Sequence, residues 1–369
     1  MKIERITLNH VQIPLLEPFK ISNGEVRSND GIIVGVWSQG IVGYGEASPK
    51  SGSFYSKDTP ESVWENLARD LVPAVLRKSP ETINDVNTIL DGMSGGPFAK
   101  AGLETAFWDL MGQSKRKPLF VLLGGDEKPI PSGLAVGIYD TIEDLLDAIE
   151  RYLSEGYKRV KIKIQPQWDI KPLEAVRKKF GDIPLMVDAN CAYSQKEIPH
   201  LTNLDEFDLM MIEQPLPRAD LEGHAKLQAQ VKTPICLDES AENLDAVRRA
   251  LEIQACKIVN IKIQRVGGLK KAKEIHDFCA NAKIPVWAGT MPELGIGAAQ
   301  TLHLATLSNF TFPTDVESSR RWFVDDIIEP FIEVEKGEIR IPGGSGNCYS
   351  LNEKAMKKYK VQEAVFRAA

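Results

Sequence analysis

The sequence predicts an α/β chain, a TIM-like (β/α)7β barrel with an α+β capping domain. Two observations carry this reading. First, Lys163, Asp188, Glu213, Asp238 and Lys262 recur at intervals of 25, 25, 25 and 24 residues. One strand–loop–helix–loop unit is about 25 residues long, since eight of them need about 200 or more. Second, each of the five ends a short apolar run: Val-Lys-Ile-Lys at 160–163, Leu-Met-Val-Asp at 185–188, Leu-Met-Met-Ile-Glu at 209–213, Ile-Cys-Leu-Asp at 235–238 and Val-Asn-Ile-Lys at 259–262. Such runs read as buried strands, so the charged side chains stand at strand carboxyl ends around one mouth, the catalytic end of a barrel. A single strand-end charge would be read as facing solvent. Five in consecutive units are a functional constellation.

The capping domain is expected over 1–128. Residues 3–14 and 32–38 alternate like strands, with Gly40 and Gly43 marking the turns of a meander. Leu103, Ala106, Phe107, Leu110 and Met111 form a helical stripe, with Trp108 as a core residue within it. The stretches 16–27 and 47–60 are rich in Gly, Ser, Lys and Pro and set Phe19, Phe54 and Tyr55 in polar surroundings. Long loops of this kind serve as lids.

The barrel is expected over 129–328. Residues 133–138 are its first strand. Asp140-Thr-Ile-Glu143 resembles a capping box, and Ile142, Leu145, Leu146, Ile149 and Leu153 follow at helical spacing. Residues 159–164 are the second strand, the next four are quoted above, and 285–288 and 310–315 complete eight. Ile183-Pro184, Thr233-Pro234 and Ile284-Pro285 place proline at strand starts, where no ladder bond is lost. The tail, 329–369, reads as a hairpin over 331–342 and a helix from Asn352, returning to the capping domain.

Composition narrows the function. A net charge of -6, with both signs interspersed, offers no basic field for nucleic acid. Charges in Met1-Lys2-Ile3-Glu4-Arg5 oppose a signal peptide, and no 18-residue apolar run suits a membrane. The five cysteines are never spaced C-x-x-C and read as small buried hydrophobes in a reducing cytoplasm. The five histidines fall on helices or a peripheral strand and read as structural. Gly295-Ile-Gly297 opens a helix whose N–H groups could hold an anion, but it lacks the third glycine of a dinucleotide motif.

Asp188, Glu213 and Asp238 offer only oxygen, which suits a hard divalent cation, Mg²⁺ above all. A proton alpha to a carboxylate is very weakly acidic. Its removal needs electrophilic stabilisation of an enediolate and a base with a pKa near working pH. Lys161, on the same strand face as Lys163, and Arg265, three residues after Lys262, bring like charge to both lysines. A lysine on each side of a flat enediolate allows racemisation, or elimination with one lysine as base. Spacing leaves these open.

The motifs Lys-Ile-Lys at 161–163, Val-Asp-Ala-Asn at 187–190, Ile-Glu-Gln-Pro at 212–215, Leu-Asp-Glu-Ser at 237–240 and Asn-Ile-Lys-Ile-Gln-Arg-Val-Gly-Gly at 260–268 resemble the enolase superfamily, muconate-lactonising subgroup. The resemblance covers essentially the whole chain. Arg265-Val-Gly-Gly268, Gly-Glu at 45–46, Asp315, Arg321-Trp322 and Asp325-Asp326-Ile327 are similar to its o-succinylbenzoate synthase / N-succinylamino acid racemase branch. The resemblance implies Mg²⁺, or Mn²⁺, on Asp188, Glu213 and Asp238, with Lys163 and Lys262 as the acid/base pair. It implies a small-molecule carboxylate substrate supported by Lys161, Asn190, Arg265, Phe19, Thr290 and Met291, loops near Phe19 and 50–55 that close over it, and a homo-oligomer, dimer or octamer. Two features depart from the subgroup: Gly289-Thr290-Met291-Pro292-Glu293-Leu294-Gly295 replaces a Gly-Gly-Met pattern, and Ala135 stands where a serine is expected. Dipeptide epimerases and cycloisomerases share the same lysines and metal, though Asp315-Val-Glu317 lacks the Asp-x-Asp of an epimerase. A catalytically retired ligand-binding barrel would have lost one of the five polar residues.

Overall fold

The computed structural model of the chain describes residues 2–22, 24–51, 56–291 and 293–368. Phe54, Tyr55 and Pro292, named above, lie outside them. Strands β1 (Arg5–Ile21), β2 (Gly24–Ser38) and β3 (Ile41–Ala47) form an antiparallel meander. Period-2 alternation buries Ile6 and Leu8 on β1, the central strand β2 is buried on both faces over 31–36, and the sheet packs on the helix Pro97–Lys115. Gly40 does lie in the turn, at φ 78°. Gly43, expected in a turn, instead lies within β3 against the helix. A Cβ there would come 2.2 Å from the Leu110 nitrogen, so only glycine lets the two backbones approach this closely.

The stretch 16–27, expected as a loop, continues the β1–β2 hairpin. Phe19 pairs with Val26 and Lys20 with Glu25, beyond an irregularity between Pro14 and Phe19. Phe19, Ile21 and Val26 are buried while Lys20 and Glu25 are exposed, so the alternation is present. The surrounding prolines and charges obscure it.

After β4 (Ile130–Pro131), seven parallel strands lie in chain order: β5 (Leu134–Val136), β6 (Val160–Lys163), β7 (Leu185–Asp188), β8 (Ile212–Glu213), β9 (Ile235–Leu237), β10 (Ile258–Ile261) and β11 (Val286–Ala288). Helices alternate with most of them, as a parallel sheet requires. The helix Ile142–Leu153 is capped by Thr141, whose hydroxyl accepts the Asp144 N–H, one residue later than the motif suggested.

The eighth position takes a looser form than expected. Phe310 bridges Val286 and Thr314 bridges Ser132. Thr311 N–H donates to the Val286 carbonyl at 3.2 Å, and Gly133 N–H to the Thr314 carbonyl at 2.8 Å. Pro313, which has no N–H, sits within the segment and interrupts regular pairing. The architecture is therefore a curled seven-strand parallel sheet with a capping sheet.

In the tail, β12 (Ile328–Glu329) pairs with β14 (Ser350–Leu351), and β13 (Glu338–Ile339) pairs with β4. The expected hairpin over 331–342 keeps only its turn, where Glu335 and Glu338 exchange backbone bonds of 2.9 and 3.1 Å. Asn352 caps the helix Glu353–Lys358, and β15 (Lys360–Arg367) adds to the capping sheet beside β1. No helix among the described residues is long and apolar enough to cross a membrane.

Candidate active site

Met186, Met211, Cys236, Ile258 and Trp287 form a buried cluster of their own inside the curled sheet. Strand side chains repeat every two residues. Two positions beyond Met186, Met211 and Cys236 come Asp188, Glu213 and Asp238, and four beyond Ile258 comes Lys262. The five charged residues therefore sit on the inward face, above an apolar floor. Lys163 pairs with Asp188, and Asp188 with Glu213, in the strand register. Lys163, on the second strand of the sheet, and Lys262, just after the sixth, come from strands four positions apart, and both line one narrow cavity of about 40 Å³.

The carboxylates are almost fully buried and held by cations. Lys163 Nζ lies 2.5 Å from Asp188 Oδ2 and donates to Asn190 Oδ1 at 2.9 Å. Lys262 Nζ and an Arg265 guanidinium nitrogen hold the two oxygens of Asp238 at 2.8 and 3.1 Å. Lys161 contacts Asp315 and lies 3.5 Å from Glu213. Asn260 donates to Glu213 Oε1 at 2.8 Å. Gln214 accepts the N–H groups of Asp238 and Ser240 through Oε1, at 3.0 and 3.1 Å, pinning the next strand end. Asn190 and Gln214 adopt φ of 43° and 39°, local strain of the kind that clusters at functional sites.

Burial and then the Asp188 charge push the Glu213 carboxyl up to about 8. Burial works against the Asp238 charge, but Arg265 and then Lys262 hold its carboxyl below the usual range. Burial also opposes the Lys161 charge, yet Asp315, Glu213 and Asp188 keep that ammonium above its ordinary value. Among the described residues no three His, Cys, Asp or Glu side chains form a ready-made metal cage. The oxygens are turned instead toward Lys163, Lys262, Lys161 and Asn260. The donor set nevertheless fits a hard cation. It is all oxygen, and Glu213 is strained by a neighbouring carboxylate, which a divalent ion would relieve.

The cavity places the supporting residues together. Phe19, Lys161, Asn190, Thr290 and Met291 line it, with Ala135, Asp315 and Trp322. Phe19 meets Trp322 edge-on, ring centroids 5.2 Å apart. Arg265 reaches Asp238 but does not line this cavity. The Gly295–Ala305 helix terminus is not open to a ligand: Glu46 accepts the Leu294 and Gly297 N–H groups, and Asp326 that of Gly295. Sequence reasoning gave no role to Asn260 and Glu239, although both lie inside the motifs at 260–268 and 237–240. It took Lys50 only as the start of a loop. That lysine is partly exposed along its chain, with its ammonium turned into the cavity. Burial, then repulsion from Lys262 and Lys163, draws it down to about 7.

A curled parallel sheet with charges at its carboxyl ends and a meander capping it defines an enolase-superfamily protein, and comparison with known proteins agrees. Residues 3–124 match the mandelate racemase / muconate lactonizing enzyme N-terminal domain, and 144–355 the enolase C-terminal domain-like family. The chain belongs to the mandelate racemase / muconate lactonizing enzyme family. It is 43% identical to an o-succinylbenzoate synthase of Geobacillus kaustophilus, over 97% of this chain and 96% of the relative. It is 41% identical to an N-succinylamino acid racemase of an Amycolatopsis species, over 94% of each. A solved enolase-superfamily member from Listeria innocua superposes with a TM-score of 0.95 at 36% identity, covering 100% of both chains.

Proposed function

We propose that this enzyme removes a proton alpha to a carboxylate, acting as an o-succinylbenzoate synthase, an N-succinylamino acid racemase, or both. The observation that carries this is the pair Lys163 and Lys262, from strands four positions apart and lining one cavity. Relatives bearing both names match along nearly the whole chain. Asp188, Glu213 and Asp238 would hold Mg²⁺, which would stabilise the negative charge that develops on the substrate carboxylate.

The chain's own residues do the rest. Lys163 takes the alpha proton on one face, with Asn190 Oδ1 and Asp188 orienting its ammonium. Lys262 delivers a proton on the other face in racemisation, or stabilises charge in elimination. Lys161, held by Asp315 and near Glu213 and Asp188, stays charged. Phe19 and Trp322 exclude water above. Asp315 is taken up by Arg159 and Lys161, and Glu317 accepts the Ala135 N–H beside Arg321. Asp315 is already paired with two cations, which favours acylated amino acids over dipeptides that would need it for a substrate ammonium.

On this reading residues 310–315 act as the eighth stave of a (β/α)7β barrel over 129–328, with 1–128 and 329–369 forming the cap. The test is ¹H NMR in D₂O with Mg²⁺, a panel of N-succinylamino acids and, separately, the succinylbenzoate precursor. Alpha-proton exchange or dehydration is expected. Loss of neither signal would refute the proposal.

A further inference from the structure

We propose that Gln264 is a positioning residue: by bonding the end of β3 it sets the place of Lys262, and so governs proton transfer on one face of the substrate carbon more than on the other. This rests on the proton-transfer reading above and gives the capping domain a part in it.

Gln264 lies two residues after Lys262, in the short helix Ile263–Val266, and is buried. β3 is the outermost strand of the capping sheet. Gln264 Nε2 donates to the Glu46 carbonyl at 2.7 Å, and its Oε1 accepts the Ser48 N–H at 3.2 Å. These two backbone groups flank Ala47 on the outer edge, where a parallel neighbour strand would both donate and accept. The side-chain amide takes the place of that neighbour. Glu46 and Ser48 are buried with it, so losing the amide would leave a buried donor and a buried acceptor to be satisfied. Lys262 and Arg265 stand on either side of Gln264 in sequence, and both hold Asp238, at 2.8 and 3.1 Å. A second tie fixes the far end of the segment: Glu104, on the capping helix Pro97–Lys115, accepts the Leu269 and Lys270 N–H groups at 2.8 and 3.0 Å. Between β10 and that tie, Gln264 is the link to the capping sheet nearest Lys262. Lys163 is held differently, by Asp188 and Asn190 at the end of β7. Loosening Gln264 therefore displaces one lysine and spares the other. A displacement of about 1 Å is enough to slow a reaction roughly 100-fold.

The experiment follows initial alpha-hydrogen loss in D₂O from each enantiomer of N-succinyl-phenylalanine, with Mg²⁺, in wild type, Gln264→Met and Gln264→Asn. The enantiomer served by Lys262 is the one that Lys163→Ala still exchanges. In Gln264→Met, loss from that enantiomer should slow roughly 10- to 100-fold, in kcat rather than KM, while loss from the other changes far less. Gln264→Asn keeps the amide one methylene short of its partners and should show the same asymmetry; it carries the test should the methionine variant not fold. Equal slowing on both faces, an effect confined to KM, or wild-type rates on both faces would overturn the assignment. Wild type that dehydrated the succinylbenzoate precursor but exchanged neither enantiomer would also refute it, by removing proton transfer from Lys262. If wild type did neither, the proton-transfer reading itself would fall. Exchange of both enantiomers with no asymmetry in the variants would remove only the role of Gln264.

Discussion

Glu46 Oε2 accepts the backbone N–H of Gly297 at 2.8 Å, joining the last strand of the capping meander to the helix that follows β11. Its Oε1 accepts the Leu294 N–H and the Ser48 hydroxyl, both at 2.7 Å. Glu46→Ala would leave these buried donors unmet, at about 1–3 kcal/mol each. With three donors affected, we expect a loss of at least about 3 kcal/mol in urea unfolding. A change below about 0.5 kcal/mol, the range of ordinary surface substitutions, would show that the contact holds nothing together.

The same carboxyl gives a pH dependence. Burial, the largest influence, lifts Glu46 to about 8 and Asp109 to about 7. Both bind their protons more tightly folded than unfolded. Their contribution is full below the ordinary carboxylate pKa of about 4 and is lost as pH climbs through about 7 to 8. Glu46→Gln cannot titrate, so wild type should lose stability relative to it between about pH 5 and pH 9. A pH-independent difference between the two would contradict this.

Asp315 lies 2.8 Å from Arg159 and also contacts Lys161, all three side chains being buried. Asp315→Asn strands two buried cations, a loss of the kind that costs about 3–5 kcal/mol. A large drop in melting temperature is expected. A variant as stable as wild type would mean that the pair is balanced elsewhere.

The five charged strand ends were legible because each rule behind them is local. An apolar run marks a strand, its last residue marks the mouth, and period two sets Asp188 above Met186 on the inner face. What the sequence hid is non-local. Asp315 meets Lys161 across 154 residues, and Glu46 meets Gly297 across 251. No pattern near either residue encodes its partner. The hairpin at 16–27 was missed for a different reason: its alternation is short and mixed with proline and charge, so composition argued for a loop.

That hairpin closes the mouth. Ser22 donates to the Ala189 carbonyl at 3.2 Å, and the Lys20 carbonyl accepts the Ile138 N–H at 2.9 Å. The cavity beneath has only about 40 Å³. We expect substrate to lift the hairpin on entering and to be covered by it afterwards. Amide exchange at 19–21 and 24–26 should slow with saturating N-succinylamino acid. Identical exchange with and without ligand would argue against a gate.

Metal binding has a readout independent of turnover. Mg²⁺ at about 100 times its Kd should add roughly 2.7 kcal/mol to the unfolding free energy. That gain should vanish with chelator and in Asp238→Asn, and activity should vanish with it. A melting curve indifferent to Mg²⁺ would count against Asp188, Glu213 and Asp238 as its ligands.

The central claim is that Lys163 and Lys262 work on opposite faces of one carbon. It is tested most directly by alpha-hydrogen exchange in D₂O, following each enantiomer of an N-succinylamino acid separately in Lys163→Ala and Lys262→Ala. Racemisation should be lost in both, by about 10²–10⁴-fold as when an acid/base group is removed. Each variant should keep exchange of one enantiomer, and the two should keep opposite ones, because the surviving lysine reaches a single face. If both variants lost exchange of the same enantiomer only, the two-sided geometry would be wrong.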